Sequence, residues 1–171
     1  MPPAPVTRDF GRFAQHTNSL LSRIPIQAVH EHRLPGAMDG RGTLEARFNL
    51  DGRPLTVFVT HLALSQRTRK RQTAYLAHLV QKAGPSVVMG DFNAKPGSPE
   101  ITQLRDEAGL AMSNRPAHAT LPSWRPRAAV DHILATPELT GLRDRRRSPN
   151  PIRNRGPHLL TGPAAAPPFI L

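Results

Sequence analysis

Apolar and polar residues alternate most regularly over residues 43–50, where every even position is apolar. This period of two predicts a strand with one buried face. The dipeptide Asp51-Gly52 follows it and is typical of a hairpin turn. Residues 55–60 are more continuously apolar, so we expect the return strand to lie deeper in a sheet, with His61 just past its end.

Two amphipathic helices are predicted further along the chain. Apolar residues recur at helical spacing over residues 68–83, and Gly84-Pro85 ends that pattern. A second helix of about ten residues is predicted to begin with Ser98 as N-cap and Pro99 at its first position, and to end at Gly109. Together with the strands, these helices predict an α/β chain with mixed connectivity.

Polar side chains that could bind a ligand or take part in catalysis lie at the ends of the predicted strands. Short apolar runs at residues 86–89 and 129–135 predict buried strands, and Asp91 and Asn93 follow the first of them. A carboxylate can hold a divalent cation or a water, while a carboxamide adds one oxygen and two N–H donors for a phosphate. Taken alone, the pair Asp91 and Asn93 favours a structural Asx turn, because Asp and Asn are common where strands end.

Asp131 falls within an apolar run, where we expect a buried carboxylate that needs a partner. The adjacent His132 must point to the opposite face of a strand, so the partner has to come from elsewhere. His158 is the only histidine downstream of these two residues. The histidines without supporting context are predicted to be surface or structural residues: His16, His30, His32, His78 and His118.

The length of 171 residues suits one domain. The chain has no cysteine, which excludes a disulfide framework, a thiolate metal site and a cysteine nucleophile. It has no apolar run of eighteen residues and no basic-then-apolar leader, so we expect no membrane span. A cytoplasmic location is the default expectation, and an extracellular one stays open if the true N-terminus precedes this sequence.

The formal charge of +11 suggests a polyanionic partner, but it is unevenly distributed. Residues 141–171 hold six arginines, one aspartate and six prolines, which predicts a poorly ordered tail, and residues 1–10 are predicted to be irregular. A second basic cluster opens the first predicted helix, where we favour a solvated face over a phosphate contact. Its members are Arg67, Arg69, Lys70 and Arg71.

Three strings together resemble the endonuclease/exonuclease/phosphatase family, and the resemblance covers roughly residues 11–140. They are Thr60-His61-Leu62, Gly90-Asp91-Phe92-Asn93-Ala94 and Val130-Asp131-His132-Ile133-Leu134. The resemblance implies part of a four-layered α/β sandwich, with two mixed β-sheets face to face and helices outside. The first strands of that fold are not found in this sequence.

The resemblance implies a metal-dependent phosphoesterase, with Mg²⁺ or Mn²⁺ as cofactor and a phosphoester, including nucleic acid, as substrate. By position, His61 contacts the scissile phosphate, Asp91 activates or orients the water, and Asn93 orients Asp91 and the phosphate. Asp131 orients the histidine that serves as general base. Asp91 and Asn93 are the implied metal ligands.

The sequence departs from the family pattern at both ends. No strand ending in Gln-Glu, which carries the principal metal ligand of the family, is present, and Gly156-Pro157-His158-Leu159-Leu160 is the nearest string to Ser-Asp-His-Leu-Pro. We therefore expect a domain truncated at its N-terminus and divergent at its C-terminus, with His158 as candidate base and weak cation binding. The alternative prediction is a non-catalytic fragment or pseudoenzyme whose basic surface binds polyanions.

Overall fold

The computed structural model of the chain describes residues 18–36, 42–113 and 118–139. The mixed α/β class predicted from the sequence is confirmed. The predicted segments 1–10 and 141–171 lie outside the described residues. None of the described helices combines the length and apolarity needed to cross a membrane. The elements are β1 (Ile26–Arg33), β2 (Gly42–Leu50), β3 (Arg53–His61), α1 (Gln66–Ala83), β4 (Ser86–Asp91), α2 (Pro99–Ala108), β5 (Ala111–Met112) and β6 (Asp131–Ala135).

The six strands form one mixed sheet with the order β1-β2-β3-β4-β6-β5. Strands β3 and β4 pair in parallel, and the other neighbours pair antiparallel. A parallel pair requires a crossover connection, which α1 supplies. β3 lies inside the sheet, as its continuous apolar run predicts. The other sheet of the implied sandwich does not lie within the described ranges.

The hairpin between β2 and β3 has the turn predicted from its sequence. Asp51 and Gly52 both adopt positive φ angles, 53° and 85°. The two-residue turn with both φ values positive matches the right-handed twist of the flanking strands. Leu50 pairs with Arg53 across it, which fixes the register of the whole hairpin.

Strand β2 differs from the prediction because two of its polar residues, Thr43 and Glu45, are buried. Glu45 is only 4% exposed. Its Oε2 lies 2.7 Å from His32 Nε2, and its Oε1 accepts a 2.6 Å hydrogen bond from Arg47 Nε. Burial by itself would raise the pKa of Glu45, but the hydrogen bonds from Arg47 and His32 outweigh it and lower that pKa. His32 lies on β1, a strand that the apolar pattern did not predict.

The sheet has two differently packed faces. On the helix face, defined by Phe58, Val88 and Leu134, all three side chains are fully buried in one cluster with residues of α1 and α2. The second face carries a separate cluster. Its fully buried and partly buried members include Ala46, Phe48, Leu55, Val57, Val59, Val87 and Met89. Neighbouring residues of one strand therefore enter different environments.

Candidate active site

The ends of β3 and β4 and the start of β6 meet at one end of the sheet. His61 pairs with Asp91 in the register, and Asp91 pairs with Asp131. Residues paired across neighbouring strands project from the same face. The structure thus brings three sequence-predicted site residues together on the second face, from three separate parts of the chain.

The His61 and Asp91 side chains lie close together at this end of the sheet. His61 Nε2 lies 3.4 Å from Asp91 Oδ2, and the two side chains are 31% and 35% exposed. The pair becomes an ion pair when the imidazole is protonated. Both groups are accessible enough to contact a ligand while still contacting each other.

Asp131 is exposed, which corrects the expectation of a buried carboxylate. The observed strand begins two residues later than predicted: β6 starts at Asp131 rather than at position 129. Asp131 is therefore the first residue of its strand, at the end of the sheet where solvent reaches it. Its predicted role in orienting a base stays a prediction, and His158 lies outside the described residues.

Asn93 connects the strand end at Asp91 to the loop after His61. Its backbone N–H donates a 2.8 Å hydrogen bond to Asp91 Oδ1, so the turn holds the carboxylate in place. Its side-chain Nδ2 donates at 2.9 Å to the carbonyl of Leu62. Asn93 has a φ of 49°, a left-handed conformation that asparagine tolerates better than most residues. The structural Asx turn and the candidate site are thus the same feature.

Gly90 permits the close approach of β3 and β4 at the site. A Cβ atom built at this position would lie 2.0 Å from the backbone oxygen of Thr60. Its φ of 133° is also one that residues with a side chain rarely adopt. Glycine is therefore required one residue before Asp91.

His132 holds the loop after β4 from the helix face, a role that the sequence interpretation missed. Its side chain is 1% exposed, and Nε2 lies 2.7 Å from the carbonyl oxygen of Ala94. The ring also lies against Phe92, with centroids 5.4 Å apart. The only available sequence signal was that His132 directly follows Asp131 on a predicted strand. This position indicated that His132 lies on the opposite face, but it did not identify Ala94 as its partner.

Arg69 is the one member of the basic cluster on α1 that is not a solvated residue. Arg67, Lys70 and Arg71 are exposed, as predicted, whereas Arg69 Nε donates at 2.7 Å to Oε1 of the fully buried Glu100. Burial would raise the pKa of Glu100, but its own backbone N–H and the side chains of Arg69 and Gln66 donate hydrogen bonds that lower it. This ion pair lies beside a cleft of about 510 Å³ that also reaches Asn93.

The predicted metal ligands supply few protein oxygens. Within residues 18–36, 42–113 and 118–139, no three or more His, Cys, Asp or Glu side chains group closely enough to hold a metal ion. Asp91 offers one partly exposed carboxylate, and Asn93 adds one carboxamide oxygen. This donor set fits Mg²⁺, which often binds through one or two carboxylates, waters and substrate phosphate rather than in an all-protein cage.

Solved structures with the same fold include enzymes of different kinds. The catalytic domain of human Nocturnin, solved with a bound sulfate anion, superposes with a TM-score of 0.56 at 21% identity, covering 70% of this chain and 50% of that one. A mannosyl-6-phosphatase from Bacteroides thetaiotaomicron gives a TM-score of 0.55 at 16% identity, covering 66% and 53%. At these identities the likeness is one of fold.

Sequence comparison reaches further than fold. The uncharacterized protein YbhP of Escherichia coli K12 is 34% identical over 130 residues, which are 69% of this chain and 50% of YbhP. The chain thus spans about half the length of this relative. A sequence profile of the Endonuclease/Exonuclease/phosphatase family matches residues 3–153, a range that contains all three strand ends of the site. The chain therefore belongs to the endonuclease/exonuclease/phosphatase family.

Proposed function

We propose that this chain carries part of the active site of a metal-dependent phosphoester hydrolase. The observation that supports the proposal is the register of three adjacent strands, which places His61, Asp91 and Asp131 side by side. These polar side chains lie at the strand ends and belong to neither apolar cluster. A phosphoester site, in which a divalent cation offsets the charge of the two carboxylates, would explain this arrangement.

Each residue has a role that its position allows. His61 donates an imidazole N–H to a phosphate oxygen, and Asp91 accepts a hydrogen bond from the attacking water and orients it. The water oxygen forms a bond to phosphorus as the bond to the leaving oxygen breaks. Asp91 and Asn93 would hold a divalent cation, which when bound neutralises charge on the phosphate. His158 remains the predicted acceptor for the proton of the water.

The substrate is proposed only as a phosphoester, because fold alone does not select among monoesters and diesters. Nucleic acid is one diester that the charge of +11 favours. The alternative, a non-catalytic fragment with a polyanion-binding surface, is less favoured. Five of the eleven net positive charges that suggest it belong to residues 141–171, which lie outside the described residues.

The test measures hydrolysis of bis-p-nitrophenyl phosphate and p-nitrophenyl phosphate with added Mg²⁺ or Mn²⁺. Asp91→Asn keeps an oxygen that can accept the Asn93 N–H bond but removes the charge, so we expect metal-stimulated turnover to fall by about 10²-fold or more. Asp106→Asn changes an exposed aspartate on α2 and serves as the matched control, with unchanged turnover.

Two results would contradict the proposal: no metal-stimulated hydrolysis by the unaltered chain, or equal turnover by Asp91→Asn. Oligonucleotide binding that weakens steeply with salt and is the same in Asp91→Asn would instead support the polyanion-binding alternative.

A further inference from the structure

Arg69 bridges the loop after His61 and the start of helix α2, which follows the loop containing Asn93. Besides its bond to Glu100, its Nη1 donates to two successive backbone carbonyls, those of Ala63 at 3.2 Å and Leu64. Ala63 follows His61 by two residues. Glu100 lies in the first turn of α2, which directly follows the loop that begins after Asp91 and contains Asn93. The Arg69 side chain, 12% exposed, thus contacts both the loop after β3 and the helix that follows β4.

The loop after His61 takes further hydrogen bonds from outside its strand. The Ala63 N–H donates at 2.8 Å to Oε1 of Gln72, a buried residue of α1 one turn beyond Arg69. Leu62 donates its N–H to the Asp91 carbonyl at 2.9 Å and accepts from Asn93 Nδ2. Helix α1 therefore fixes Ala63 through both its N–H and its C=O, and Asn93 ties the same loop to the turn at Asp91.

These contacts require a guanidinium group. Arginine presents five N–H donors in a rigid planar fork, so it can bind a carboxylate and two carbonyls at once. A lysine keeps the charge but has one nitrogen, which cannot occupy both the Nε and the Nη1 positions. Arg69 is also poorly placed to bind substrate itself, because its side chain is 12% exposed and its donors already serve Glu100, Ala63 and Leu64.

We propose that Arg69 is a positioning residue that couples the two loops of the active site, holding His61 in register with Asp91 and Asn93 through Glu100 and the carbonyls of Ala63 and Leu64. The expected kinetic effect rests on the proposed phosphoesterase function. The coupling of the loops concerns the fold and does not depend on that function. A misplacement of about 1 Å between reacting groups can cost about 10²-fold in rate. Contacts that matter mainly in the transition state change kcat more than KM.

The experiment compares Arg69→Lys with Arg71→Lys in the full chain. Arg71 is exposed on the same helix and provides the matched control. Amide hydrogen exchange by NMR is followed at Ala63 and Asn93, with the Val88 amide of β4 as the reference for global unfolding. In Arg69→Lys we expect exchange at both loop amides to rise at least about tenfold relative to Val88. We expect kcat to fall by about 10- to 100-fold with KM within about threefold.

If Ala63 or Asn93 keeps its protection in Arg69→Lys, the loops are not coupled through Arg69 and the inference is wrong. The inference is also wrong if the unaltered chain is active and the kcat and KM of Arg69→Lys match those of Arg71→Lys. An inactive unaltered chain would instead refute the proposed function, and the exchange data would still decide the coupling.

Should Arg69→Lys unfold, Glu100→Gln provides a second variant. It keeps the size of the side chain and one acceptor oxygen while removing the charge that Arg69 pairs with. We expect the same joint acceleration of exchange at Ala63 and Asn93, at a smaller amplitude. Acceleration confined to α2 would contradict the coupling.

Discussion

The two faces of the sheet support different properties of this chain. His132 projects to the helix face, where it is 1% exposed and contacts Ala94, while the adjacent Asp131 is exposed on the second face. The same alternation separates Gly90 from Asp91 on β4. At these positions of β4 and β6, buried packing therefore lies on the helix face and the candidate chemistry on the second face. Substitutions one residue apart should separate the two.

The largest expected effect comes from adding a methyl group at Gly90. Gly90→Ala should lower the free energy of unfolding by about 4 kcal/mol or more, because its Cβ would overlap the backbone of Thr60 and its φ is unfavourable. The change in the free energy of unfolding is measured from the urea concentration at the midpoint of unfolding. Gly97→Ala is the control, since a Cβ there would meet no atom within 4 Å, and we expect a change within about 0.5 kcal/mol. Similar midpoints for both variants would contradict the tight packing of β3 on β4.

A substitution pair on β6 tests the division between the faces directly. His132→Ala should cost about 2–4 kcal/mol of unfolding free energy, because it removes a buried ring and leaves the Ala94 carbonyl without its donor. Asp131→Asn should change that free energy by less than about 0.5 kcal/mol. Chemical denaturation of both variants provides the measurement. An equal loss in the two would show that the faces do not differ in this way.

The smallest effect concerns acid stability and Glu100. The folded pKa of Glu100 lies below its ordinary value of 4.5, so the unfolded chain binds more protons at acidic pH. The resulting stability is complete above about pH 4.5 and is lost as the pH falls through the folded pKa. Glu100→Gln should flatten the dependence by up to about 1.4 kcal/mol per pH unit in that window.

Denaturation midpoints between pH 3 and pH 7 would show this change in slope. Glu107→Gln, at an exposed glutamate of the same helix, should keep the slope of the unaltered chain. An unchanged slope in Glu100→Gln would mean that the Arg69 pair contributes no pH-dependent stability.

Much of the fold could be predicted because the signals are local. The hairpin, the end of α1 at Gly84, the start of α2 at Pro99 and the class of the sheet all follow from periodicity and turn residues within short windows. Strand β1 was missed because its polar side chains hide any apolar alternation, and β5 is only two residues long. Helix α1 begins at Gln66, two residues before the predicted start.

The sequence by itself determined the family and the candidate residues, because motif strings such as Gly90-Asp91-Phe92-Asn93-Ala94 are contiguous along the chain. Tertiary structure decided which polar residues support them. Arg69 and Glu100 are 31 positions apart, and His132 and Ala94 are 38 apart. Charge and hydropathy at Arg69 matched those of its solvated neighbours. Only the packing of α1 and α2 on one face supplied the buried carboxylate that makes this arginine different.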